Sequence, residues 1–196
     1  MRELKKICVF CGSSDGNDIA ITDAAERLGK IFAENNITLV YGAAKIGVMG
    51  TLAKSVLENK GDVIGIIPKF LKKKEVVHLG LTELVTTHNM HERKLKMQEM
   101  SDGFITLPGG FGTLEELFEI ITWLQLGLHD KPIGLLNING FFDDMLKLLE
   151  NMVRKGFLKM ENYELLLVAN NIDTLLKKMN DFKAPQIPKW LNADRA

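Results

Sequence analysis

The sequence predicts an α/β protein with a Rossmann-like, doubly wound parallel sheet in a single domain. Three observations carry that expectation. Short apolar runs alternate along the whole chain with longer amphipathic ones, the pattern of strands each followed by a crossover helix. Two of the apolar runs end in glycine-rich loops, at 42–50 and 109–112, that open directly into a helical pattern. With 196 residues, 46% of them hydrophobic, the chain can bury one sizeable core.

Each element follows in order. Residues 7–10 read as a first strand, Gly12-Ser13-Ser14 as a turn, and 18–35 as a helix. The second strand is 37–41, and the loop after it opens a helix running to residue 60. Residues 63–67 form a third strand, 68–76 a lysine-bearing loop, 84–87 a short strand, and 90–100 a helix. The strand at 104–107 precedes Pro108-Gly109-Gly110-Phe111-Gly112, and an amphipathic run starts at Thr113. Strands at 133–136 and 165–168 and helices at 141–155 and 172–179 complete the chain. There is no internal repeat or linker, so 1–180 is expected to be one nucleotide-binding domain. Residues 181–196, with Pro185 and Pro188, are expected to be a surface tail.

Composition removes several functions. Lys+Arg and Asp+Glu balance at 25 each, so no global field exists to hold a polyanion, and nucleic acid is not expected as a partner. No apolar run approaches the roughly 20 residues of a membrane span, and no signal-like segment precedes the first strand, which implies a cytoplasmic protein. Cys8 and Cys11 spell C-x-x-C, but residues three apart on a strand point to opposite faces, and no second pair accompanies them. His78, His88, His91 and His129 have no metal spacing. Neither a metal nor a cofactor is expected.

The loop at 108–112 is the most informative stretch. Glycines there let backbone N–H groups approach an anion, and a helix N-terminus adds about half a positive charge. In such a sheet, loops at the carboxyl ends of the strands converge on the ligand, which brings Gly12, Ser13 and Gly42 toward the same place. The spacing after residue 41 is not that of a dinucleotide fingerprint; a mononucleotide is the better expectation. On the helix that follows, Leu114, Leu117, Phe118, Ile121 and Leu124 form one stripe expected to face the sheet. Glu116, Ile120 and Trp123 fall on a second, partly apolar face, which implies a cover by another subunit and hence a homodimer. Within Met90-His91-Glu92-Arg93-Lys94, two cations share a helical stripe with methionines, an arrangement suited to holding phosphate or a leaving group. The run Lys72-Lys73-Lys74 reads as a solvated loop.

These two stretches resemble the M-H-x-R-K and P-G-G-x-G-T-x-x-E motifs of the Lonely Guy family of cytokinin riboside 5′-monophosphate phosphoribohydrolases, long mislabelled as lysine decarboxylases. The resemblance covers nearly the whole chain. It implies hydrolysis of the N-glycosidic bond of a purine nucleoside 5′-monophosphate, of cytokinin or AMP type, to free base and ribose 5-phosphate. By position it makes Arg93 and Glu116 the catalytic pair. It sets Glu75, Lys94, Gly109, Gly110, Phe111, Gly112, Thr113, Leu114, Glu115, Glu116 and Thr122 against the nucleotide. One departure is Gly42-Ala43-Ala44, where the family usually has three glycines. The residues fit that chemistry independently: an oxocarbenium-like sugar needs an anion beside the ribose and a donor near the departing base. A non-catalytic nucleotide or molybdenum-cofactor carrier of the same fold is the alternative.

Overall fold

The computed structural model describes residues 3–72 and 77–184. Glu75, Lys73, Lys74 and the tail from 185 onward therefore lie outside the described residues. In chain order the elements are β1 (Lys6–Phe10), α1 (Ile19–Glu34), β2 (Thr38–Tyr41), α2 (Gly47–Glu58), β3 (Val63–Pro68), β4 (Glu83–Thr87), α3 (Met90–Glu99) and β5 (Gly103–Thr106). They continue with α4 (Phe111–Gln125), β6 (Ile133–Leu136), α5 (Asp143–Arg154), α6 (Met160–Tyr163), β7 (Leu166–Ala169) and α7 (Ile172–Asp181). Two short pieces were not expected: α6 and the turn Ile138–Gly140. Three or four residues cannot display a helical period. Helix α7 also takes in Asp181, the first residue assigned to the tail.

The seven strands form one parallel sheet in the order β4-β3-β2-β1-β5-β6-β7. Alternation along the strands loads both faces. Ile7 and Val9 of β1 join Leu39, Tyr41 and Ile105 under α1, α2 and α7, whereas Cys8 and Phe10 join Val40, Ile66 and Phe104 under α3, α4 and α5. Cys8 and Cys11 accordingly enter different cores, each as a buried free thiol. The winding reverses at β1, which has β2 on one side and β5 on the other. Such a switch point opens a crevice beyond the carboxyl ends of the two strands. Here it lies between Cys11-Gly12-Ser13 and Leu107-Pro108-Gly109.

Candidate active site

Backbone contacts join the three loops. Gly12 N–H donates to the Pro108 carbonyl at 3.1 Å, and Met49 N–H donates to the Gly12 carbonyl at 3.1 Å. A Cβ at Gly109 would run into the Thr113 side chain, and one at Gly47, where φ is +65°, would run into the Ser13–Ser14 backbone. Only glycine permits both approaches. Helices α1, α3 and α7 are closed at their N-termini by the side chains of Asp18, Asn89 and Asn171. Helix α4 starts at Gly110 without a side-chain cap, and a Cβ at Gly110 or Gly112 would meet nothing within 4 Å. Its first N–H groups thus face open space at the switch point, ready to accept an anion.

Arg93 is aimed by the start of α3. Asn89 Oδ1 accepts from Glu92 N–H at 2.8 Å and Glu92 Oε2 accepts from His88 N–H at 2.7 Å, a reciprocal cap that fixes the first turn. Arg93, within that turn, points inward with its side chain only 11% exposed. Its Nε donates to the Ile66 carbonyl at 3.1 Å, and its Nη1 lies 3.7 Å from Glu116 Oε1. The guanidinium passes directly over Gly42, where a Cβ would collide with Nη2. Gly42→Ala is therefore expected to displace Arg93 and, if Arg93 takes the catalytic role that the resemblance implies, to lower turnover by about tenfold or more, because small misplacements of such a group are costly. Steady-state kinetics on that variant checks it; wild-type turnover would mean Arg93 has another stable seat.

Glu116 is 14% exposed, hemmed in by Phe10, Phe104, Ile120 and Trp123 around a cavity of about 10 Å³ that Lys94 and Glu119 also line. Burial is the main reason its carboxyl is pushed up to about 7; Arg93 and Lys94 pull it down, while Glu115 and Glu119 push it up. A carboxyl poised near neutrality in a crevice, beside an arginine, marks a functional site.

The structure corrects the expected faces of α4. The buried stripe is Thr113, Leu117, Ile120 and Leu124, so Ile120 packs against Phe10 and Phe104 in the core rather than at a subunit contact. Trp123 is half-buried against the same core. The outward face instead carries Phe111, 93% exposed, and Phe118, 40% exposed, whereas Leu114 and Ile121 are half-buried and pack against the core as expected. Both faces are apolar, and the choice between them depends on which residues meet the sheet, which periodicity does not state.

The remaining expected residues divide. Gly12, Ser13, Gly42, Gly109, Gly110, Phe111, Gly112, Thr113, Leu114 and Glu115 lie on or beside the converging loops. Glu75 lies outside the described residues. Lys94 Nζ donates to Glu115 Oε1 at 2.6 Å and to Glu119 Oε1 at 2.8 Å. Burial pulls its ammonium down, but these two bonds outweigh that and raise it. Thr122 is exposed, and its hydroxyl donates to the Phe118 carbonyl at 2.6 Å. Six residues from Glu116, it stands about 9 Å along the axis and about 120° around it, so one chain does not bring the two together. Ala43 holds φ at +65° while fully buried, and its methyl lies over Gly65. Sequence reasoning missed Glu119, a glutamate one turn after Glu115, because its partner lies on another helix.

No helix among the described residues is long and apolar enough to cross a membrane. The sequence pattern of the family described as possible lysine decarboxylase matches residues 49–179. The cytokinin riboside 5′-monophosphate phosphoribohydrolase LOG1 of Arabidopsis thaliana is 44% identical over 180 residues, covering 92% of this chain and 84% of the relative. The phosphoribohydrolase LOG of Oryza sativa subsp. japonica is 43% identical over 178 residues, covering 91% and 74%. Among solved structures, the molybdenum cofactor binding protein of Rippkaea orientalis superposes with a TM-score of 0.68 at 20% identity, covering 92% of this chain and 98% of that one. At that identity the likeness concerns the fold alone.

Proposed function

Because the chain belongs to the family described as possible lysine decarboxylase, together with the Lonely Guy phosphoribohydrolases it matches at 43–45% identity, we propose that it is a nucleoside 5′-monophosphate phosphoribohydrolase. It hydrolyses the N-glycosidic bond of a purine nucleotide of the AMP or cytokinin riboside type, releasing free base and ribose 5-phosphate. The observation that carries this reading is the buried Glu116 carboxyl 3.7 Å from Arg93, one turn into a helix whose N-terminus has no side-chain cap. The 5′-phosphate is held by N–H groups at 110–113. Glu116, ionised, accepts from the ribose hydroxyls, orients water and stabilises the oxocarbenium-like sugar. Arg93 meets the negative charge that develops on the departing purine.

The decarboxylase in the family's description needs pyridoxal phosphate on a lysine whose amine is readily freed of its proton. Lys94, the lysine beside Arg93 and Glu116, is instead bonded to two carboxylates with its ammonium raised. It does not fit that group.

A panel of nucleoside monophosphates, with the free base resolved by chromatography, tests the reaction. AMP or an N6-modified analogue should yield base, and the nucleoside lacking phosphate should be about 10²-fold poorer or worse. Two bonds to a charged phosphate, at about 1.5–3 kcal/mol each, account for that ratio. Equal turnover of nucleoside and nucleotide would sink the phosphate assignment; tight nucleotide binding without base release would favour the carrier.

The exposed face of α4 supports a homodimer, because Phe111 and Phe118 leave apolar area uncovered on a single chain. Thr122, one turn after Phe118, would lie on the same contact. Phe118→Glu is expected to yield monomer with reduced activity, read by sedimentation and kinetics. A wild type that sediments as monomer removes the dimer.

A further inference from the structure

Arg93 and Glu116 form an ion pair but no hydrogen bond. Their approach of 3.7 Å exceeds hydrogen-bonding range, and their helices are seated apart: α3 packs on β3 and β4, α4 on β1. Strand β2 lies between those seats. The short contacts across the gap belong to their chain neighbours. Lys94, next to Arg93, bonds Glu115, next to Glu116, and also Glu119, one turn further along the same side of α4. From this geometry we propose that Lys94 and Glu119, with Glu115 as an outer arm, are positioning residues that pin α3 to α4 and so set the spacing of Arg93 and Glu116. The consequence for turnover rests on the phosphoribohydrolase reading above; the pin itself does not.

The two arms are unequal. The Glu115 side chain is 55% exposed and that of Glu119 27%, while that of Lys94 is 11% exposed. Solvent screens the outer arm, which leaves Lys94–Glu119 as the main link. The pin also sits in the electrostatic field of Glu116. The groups facing that carboxyl are Arg93 and Lys94 from α3, Glu115 and Glu119 from α4, and the Cys8 and Cys11 thiols from the β1 side. Removing the Lys94 charge leaves two unneutralised carboxylates near Glu116 and moves its titration upward. Removing the Glu119 charge moves it downward. The two changes therefore loosen the same link but shift the titration in opposite senses.

The experiment measures kcat and KM for the wild type, Lys94→Met, Glu119→Gln and Lys94→Arg from about pH 5 to about pH 9. Lys94→Met and Glu119→Gln should each lower kcat about tenfold, the scale for a displaced catalytic group, with KM within about threefold. Their acid limbs should move apart, upward for Lys94→Met and downward for Glu119→Gln, and Lys94→Arg should restore most of kcat. A raised KM at unchanged kcat in Lys94→Met would make Lys94 a direct nucleotide ligand and overturn the proposal, as would limbs that do not move. If the wild type releases no base from any monophosphate, the reaction reading falls, and a crystal structure of Lys94→Met then decides the pin. A changed Arg93–Glu116 separation upholds it, and an unchanged one refutes it.

Discussion

Glu116→Gln is expected to lower turnover by at least about 10²-fold, the loss typical of removing one electrostatic group aimed at a transition state. Glutamine keeps the size and reach of the side chain and removes the charge. The pH profile adds a second reading. With the carboxyl pushed up to about 7 chiefly by burial, the ionised form needed beside an oxocarbenium-like sugar appears only as pH rises through 7. The wild-type kcat/KM should thus climb through an acid limb near pH 7, which the variant lacks. Stability runs the other way. A carboxyl whose folded-state value is raised binds its proton more tightly when folded, so its stabilisation is full below about 4.5 and lost as pH rises through about 7. That interval corresponds to roughly 3 kcal/mol, at 1.36 kcal/mol per unit. Thermal melts at several pH values should show wild-type stability falling across this window, with a flatter curve for Glu116→Gln. Near-normal turnover by the variant would leave Glu116 a buried carboxylate paired with Arg93 and remove the assignment. Glu115→Gln, which removes only a half-exposed arm to Lys94, should cost a few tenths of a kcal/mol of stability.

The legible and illegible parts of the site differ in a physical way. Residues 108–116 could be read because a strand, three glycines and a helix start are consecutive in the chain, and the chemistry of a bare helix N-terminus is local. The alternation of strands and helices fixed a parallel sheet for the same reason, and the opposite faces taken by Cys8 and Cys11 follow from the pleat. The faces of α4 were not legible. Leu117 and Leu124 meet the sheet as expected, but Ile120 joins them, while Phe118 turns outward. A helix apolar on two sides has two nearly equivalent rotations, and the choice lies with Phe10 and Phe104 on other strands. Glu119 and the seat of Arg93 over Gly42 were hidden too, since each depends on an approach between segments 25 or more residues apart.

Arg93→Ala should cripple turnover at least as severely as Glu116→Gln, because it removes two functions. In the proposed reaction the guanidinium meets the charge on the departing base, and it is also the largest influence holding Glu116 down against burial. Without it the carboxyl titrates well above its wild-type value, so less of it is ionised at neutral pH and the acid limb of kcat/KM moves to higher pH. Arg93→Lys should rescue little. An ammonium cannot both donate to the Ile66 carbonyl, as Nε does at 3.1 Å, and present a planar fork toward Glu116. The paired measurement is a pH series of kcat/KM for both variants, with calorimetric AMP binding alongside. A loss confined to affinity, with kcat and the acid limb unchanged, would reduce Arg93 to a binding group; a fall in kcat of about 10²-fold with a displaced limb places it in the chemistry.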